Sequence, residues 1–162
     1  MENDPYSTKE LNETFYKYRM YLPYLHEEVN EGRWEGLEPK NIEIGRFGPI
    51  AILCLTIEKD LLSFDFMVRT YEEYADNDII IEHDIYIEYR GCEKYHKCIA
   101  VKFLKAVEES LHDHFKVPVI NNESYICLRI DKERQLESFL EMADIVVPLF
   151  NNTPTWIAEE SP

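Results

Sequence analysis

From Leu11 to Val29 the apolar residues Leu11, Phe15, Tyr18, Leu22, Leu25 and Val29 recur at steps of three and four. On a helix of 3.6 residues per turn that spacing gathers them on one stripe facing a core. Ser7-Thr8-Lys9-Glu10 just before it has the spacing of a capping box, with the Ser7 hydroxyl and the Glu10 carboxylate each answering a free backbone N–H. Pro23 is expected to kink or split this helix. Gly32 and Gly36 around Trp34 are expected to end it, and Pro39 marks a loop.

Between Ile42 and Arg90 the period changes to two, the signature of strands with one buried face. Ile42 and Ile44 open this region, Gly45 to Pro49 interrupt it, and Ile50 to Ile57 is a nearly continuous apolar run that reads as a central strand covered on both faces. Glu58-Lys59-Asp60 is its turn. Next Leu62, Phe64, Phe66 and Val68 alternate with Ser63, Asp65, Met67 and Arg69, predicting a strand buried on one face only. Glu72 to Asp78 reads as a polar loop. In the strand that follows, Ile79, Ile81, Ile85 and Ile87 share one face and Glu82, Asp84 and Glu88 the other. A register slip would bury three carboxylates, so the facing is well determined.

Helical spacing returns from Tyr95 to Phe115, with Ile99, Phe103, Ala106, Val107 and Leu111 inward. His112, His114 and Lys116 stand near the C-terminal end, where cations suit the helix dipole. Val117 to Ile120 and Tyr125 to Ile130 read as a hairpin about Asn121-Asn122-Glu123-Ser124, and Asp131 as the cap of a last helix carrying Leu136, Phe139, Leu140 and Ala143. The expected fold is therefore a single α+β domain over residues 1–150, in the order α-β-β-β-α-β-β-α. Its antiparallel sheet would carry helices mainly on one face, and residues 151–162 would form a loosely held tail.

Composition sharpens this picture. The 162 residues carry 17 Lys and Arg against 32 Asp and Glu, a net charge of -15, with 45% hydrophobic residues. The apolar content is enough for a packed core, which excludes intrinsic disorder. The acid excess argues against direct nucleic-acid or membrane binding, because phosphate contacts need clustered Lys and Arg. A transmembrane run is absent and the first residues are acidic, so a cytoplasmic protein is expected. Cys54, Cys92, Cys98 and Cys127 show no framework spacing and fit reduced thiols. Cys54 and Cys127 are expected to be buried, and Cys92 to be the first to react.

The strongest local bias is a run of acids, Glu72, Glu73, Asp76, Asp78, Glu82, Asp84 and Glu88, without one Lys or Arg between Tyr71 and Glu88. Three lie on a strand face and four in the loop leading to it. Together they are expected to form one acidic surface whose field attracts a basic protein. The spacing does not match a calcium loop. Cys92, His96 and Cys98 with His83 lack the paired knuckles of a zinc site, and His96 and Cys98 are poorly placed for cysteine catalysis. No phosphate-cradle, zinc-protease or nucleophile-elbow motif occurs. The sequence thus gives no catalytic residue, metal or cofactor. It points to a non-enzymatic protein-binding or inhibitory module, of the immunity-protein or nucleic-acid-mimic type, that masks a basic partner surface. Lys94, Lys97, Lys102 and Lys105 form a basic row that could dock on the acids of a second copy as a homodimer.

Two partial resemblances accompany this reading. Ile85-Tyr86-Ile87-Glu88-Tyr89-Arg90-Gly91 followed by a long helix resembles the strand-to-helix junction of the GNAT acetyltransferases. That likeness implies an acyl-CoA pyrophosphate held on the turn Gly91 to His96. The order of elements is similar to that of the type III secretion chaperones, acidic and often dimeric, which implies holding another protein.

Overall fold

The computed structural model describes residues 8–59, 62–91 and 94–152, and the side chains of 94–96 lie outside that description. Helix α1 (Lys9–Asn30) is followed by a 3-10 turn and four strands, β1 (Ile42–Phe47), β2 (Ile50–Lys59), β3 (Leu62–Ala75) and β4 (Asp78–Tyr89). Helix α2 (Lys94–Phe115), β5 (Ile120–Asn121), β6 (Tyr125–Arg129), a second 3-10 turn and α3 (Gln135–Asn151) complete the chain. The six strands form one antiparallel sheet in the order β1-β2-β3-β4-β6-β5. The α+β class and the antiparallel sheet agree with the sequence pattern, and the first group of strands has four members instead of three.

All three helices lie on one face of the sheet. Leu11, Phe15, Tyr18, Leu25 and Val29 of α1 share one core with Ile99, Phe103, Val107 and Leu111 of α2 and with Phe139, Met142, Val146 and Phe150 of α3. Leu53, Leu55, Phe64, Phe66, Val68, Ile85, Ile87, Ile126 and Leu128 face them from the strands. At the centre Phe103 sits against Phe64, Phe66 and Phe150, with ring centroids 4.7, 6.2 and 5.7 Å away. Tilted and edge-on aromatic pairs of this kind add to simple area burial.

Several local expectations are corrected. Helix α1 continues through Pro23 and α3 through Pro148, so neither proline splits its helix. Pro23 lies on the exposed side of α1, where the carbonyl it strands can reach water. The cap of α1 is Thr8, whose Oγ1 accepts the Leu11 N–H at 3.2 Å. Ser7 lies outside the described residues. The reciprocal carboxylate is Glu72 from β3, whose Oε2 accepts the Thr8 N–H at 2.7 Å, where Glu10 was expected. Pro39 opens a 3-10 turn, and Asp131 caps the short turn before α3 instead of the helix itself. Residues 117–119 are not strand: α2 closes with Lys116 in the left-handed region, and pairing starts only at Ile120.

The largest revision concerns 72–78. Strand β3 runs on to Ala75, and Asp76-Asn77 make a two-residue turn with φ of 48° and 71°. Positive φ at both central residues is the mirror-image turn whose twist matches a hairpin, and Asp and Asn tolerate it. The polar stretch is therefore the end of a long hairpin that outruns the helices, leaving Tyr74, Ile79 and Ile80 exposed.

Beneath α1 and α3 lies a buried polar cluster in the core. The Tyr18 and Thr70 hydroxyls both donate to Gln135 Oε1 and lie 2.9 Å from each other, and His83 Nδ1 lies 2.8 Å from Thr70 Oγ1. With the hydroxyl protons committed to this triangle, Nδ1–H donates to Thr70, which leaves His83 Nε2 as a buried lone pair without a partner. Burial holds the imidazole below its usual pKa, offset in part by Glu10, Glu82 and Asp84 and reinforced by Lys132. Below about pH 6.5 the unfolded chain binds a proton that the folded chain refuses, so stability falls as pH drops through that range. Urea midpoints measured from pH 7.5 to 5 are expected to decline in the wild type and to decline less in His83→Gln. Parallel slopes would remove His83 as the cause.

Candidate functional site

The alternation that points Leu53, Phe66 and Ile85 into the helices points the intervening residues to the opposite face. No described element covers that face. Across it run Phe47 of β1, Ile50, Ile52 and Cys54 of β2, Met67, Arg69 and Tyr71 of β3, Ile80 and Tyr86 of β4, Tyr125 and Cys127 of β6, and Ile120 of β5.

Its centre is an aromatic–arginine strip crossing three strands. The Arg69 guanidinium carbon stands 4.8 Å from the Tyr71 ring centroid and 4.0 Å from that of Tyr86. Tyr86 in turn stacks on Tyr125 at 5.2 Å with planes 15° apart. Register explains the line: Arg69 is opposite Asp84, Tyr86 is two residues further along β4, and Tyr125 lies diagonally beyond on β6. Arg69 is fixed there by two hydrogen bonds to Asp84, at 2.9 and 2.8 Å. A second arginine, Arg129, reaches Glu82 at 2.6 Å and the Tyr71 hydroxyl at 3.2 Å. Nearer β1, a depression of about 340 Å³ is lined by Phe47, Ile52, Cys54, Thr56, Asp65 and Arg90, among others. The Phe47 ring lies over Gly45, where a Cβ would come within 2.9 Å of it.

The seven acids do not make one surface. Glu72 points to the helix side and caps α1, and Asp84, fully buried, is consumed by Arg69 and by the Cys127 thiol at 3.2 Å. Both are structural. Glu73, Asp78, Glu82 and Glu88 share the open face, with Asp76 at the hairpin turn. Of these Glu82 is paired with Arg129, whereas Glu73, Asp76, Asp78 and Glu88 make no ion pair or side-chain hydrogen bond among the described residues. Glu43 on β1 adds one more carboxylate to the opposite rim.

The thiols fit this geometry. Burial pushes Cys54 up to about 12, and burial followed by the Asp84 charge pushes Cys127 up to about 11, so neither is a nucleophile near neutral pH. Cys127 is half-buried on the open face, not in the core as expected, and Cys98 is exposed on α2. Cys92 lies outside the described residues. Among the described residues no group of three His, Cys, Asp or Glu side chains could hold a metal ion, and His114 is tied to Glu141 of α3 at 2.6 Å. At the junction that resembles the acetyltransferases, a Cβ on Gly91 would collide with the Tyr89 phenol, so that ring lies against Gly91. No described helix is long and apolar enough to cross a membrane.

The aromatic strip was missed by the sequence reading. Its signal is the placing of Tyr71, Tyr86 and Tyr125 at open-face positions that a solvated sheet would give to Thr, Lys or Glu. Fold and site together define a helix-backed antiparallel sheet with one aromatic face that no described element covers. Comparison of the chain with protein-family models, with curated proteins and with solved structures finds no match.

Proposed function

We propose that this protein is a non-enzymatic binding module that receives a basic protein on its open sheet face and masks the partner's cationic surface, in the manner of an inhibitor or immunity protein. One observation carries the reading: a sheet face that no described element covers, with Tyr71, Arg69, Tyr86 and Tyr125 at its centre and, around it, Glu73, Asp78 and Glu88, unpaired among the described residues. Protein interfaces concentrate tyrosine and arginine in their desolvated centre and keep charges at the rim. Arg129 and Arg90 on this face are paired with Glu82 and Asp65, so the charges left over at the rim are carboxylates, and a net charge of -15 extends that field outward. Lysine and arginine side chains of a partner would meet carboxylates, while their methylenes and neighbouring apolar groups would lie on the tyrosine rings.

The test is affinity capture with the tagged full chain, followed by association kinetics on any basic protein recovered. The double substitution Glu73→Lys, Glu88→Lys is expected to slow association about tenfold or more at low salt, and Tyr125→Ala to speed dissociation. A captured basic protein that binds both variants as it binds the wild type would exclude this face.

A further inference from the structure

Independently of the open face, α1 carries an unpartnered apolar stripe on the opposite side of the molecule. Of the eight large apolar side chains exposed among the described residues, three are Tyr16, Met20 and Tyr24. They recur at four-residue intervals, which on a helix places them along one line about 12 Å long. The buried positions Leu11, Phe15, Tyr18, Leu25 and Val29 hold the other side of α1 against the sheet, so the stripe faces away from it. Pro23 sits in the same exposed face. Tyrosine and methionine in a row are costly to leave in water and are common anchors of protein contacts.

Charge along the helix is divided about Met20. On the exposed surface the N-terminal half holds Lys9, Lys17 and Arg19 against Glu13 alone, and Glu13 is paired with Lys9 at 3.8 Å. The C-terminal half of the exposed surface, with its cap, holds Glu27 and Glu31 and no cation. Lys17, Arg19, Glu27 and Glu31 make no ion pair among the described residues. A helix with apolar residues at its middle, cations at one end and anions at the other is complementary to itself when reversed.

We infer that α1 packs antiparallel against α1 of a second copy, about a two-fold axis passing beside Met20. In that register Tyr16 meets Tyr24 of the partner copy, Lys9 approaches Glu31, and Lys17 lies diagonal to Glu27, each contact occurring twice. The helix dipoles lie antiparallel in the same arrangement, the N-terminal end of one beside the C-terminal end of the other. The lysine row on α2 offers no equivalent, since no large exposed apolar side chain lies on that helix among the described residues. Because the stripe and the bare sheet face lie on opposite sides, the pair presents two open faces turned outward. It would engage a multivalent or repeating partner twice, with a gain set by effective concentration.

Position 20 is 63% exposed, so substitutions there leave the fold intact. Sedimentation velocity is run on the wild-type chain, on Met20→Glu, on Met20→Lys and on an equimolar mixture of the two variants. A dimeric wild type, a monomer for each variant alone and a dimer for the mixture are expected, because only a two-fold axis at this residue brings like charges together in one case and opposite charges in the other. A monomeric wild type overturns the inference. So does a dimer in all samples, which would put the interface elsewhere, or a mixture that stays monomeric, which would reject the two-fold register.

Discussion

Removing the Asp84 carboxylate with Asp84→Ala is expected to destabilise the protein by about 3 kcal/mol, and Arg69→Ala by about 4–5 kcal/mol, the range for breaking one side of a buried ion pair. The asymmetry follows from exposure. The Asp84 side chain is fully buried, whereas that of Arg69 keeps 20% of its surface in solvent and is flanked by Tyr71 and Tyr86. A stranded guanidinium still has water and two rings, but a stranded carboxylate has only the Cys127 thiol. The double variant Arg69→Met, Asp84→Leu is expected to recover most of the loss, since apolar replacements of a buried pair are often neutral. Urea unfolding of the three variants decides it. Equal small losses in both single variants would show that the pair is effectively solvated.

The second large effect lies in the core. Phe103→Ala deletes a fully buried ring in contact with Phe64, Phe66 and Phe150 and is expected to cost about 3–5 kcal/mol, the transfer of the ring plus the cavity left by three aromatic neighbours that cannot collapse inward. For a chain of this size that corresponds to a fall in Tm of about 10 °C. Phe47→Ala, at a ring 62% exposed on the open face, is expected to stay within about 0.5 kcal/mol of the wild type. Thermal and urea unfolding of the pair test the division of the sheet into a packed and a bare face. A comparable loss at Phe47 would mean that something covers the open side.

Periodicity alone carried the three helices, the two-residue period from Ile42 to Arg90 and the inward facing of Phe64, Phe66, Ile85 and Ile87, because burial on one face writes itself directly into alternation. It failed where a polar side chain has a distant partner. Glu72 reads as loop because nothing near it in sequence reveals that it caps a helix 64 residues away. Asp84 reads as surface because its arginine stands on the next strand. Pro23 does not split α1 for another reason: a helix packed against a sheet stays helical through one missing hydrogen bond on the solvent side. The candidate site was half legible, its acids by composition and its tyrosines not at all, since aromatic residues on a strand are equally at home in a core.

The uneven pairing of β4 has one more consequence. Residues Asp84 to Glu88 are covered by β6, but among the described residues the part from Asp78 to Glu82 pairs with β3 alone, so its outer backbone groups form an edge bearing Ile79, Ile80 and Ile81. Three consecutive β-branched residues without proline on an open edge are a template onto which strands of other molecules add, the first step toward fibrils. Asp76, Asp78 and Glu82 stand along the same stretch and charge that edge negatively. In a concentrated solution such charges act as gatekeepers against self-templated aggregation, a duty that asks nothing of a second protein.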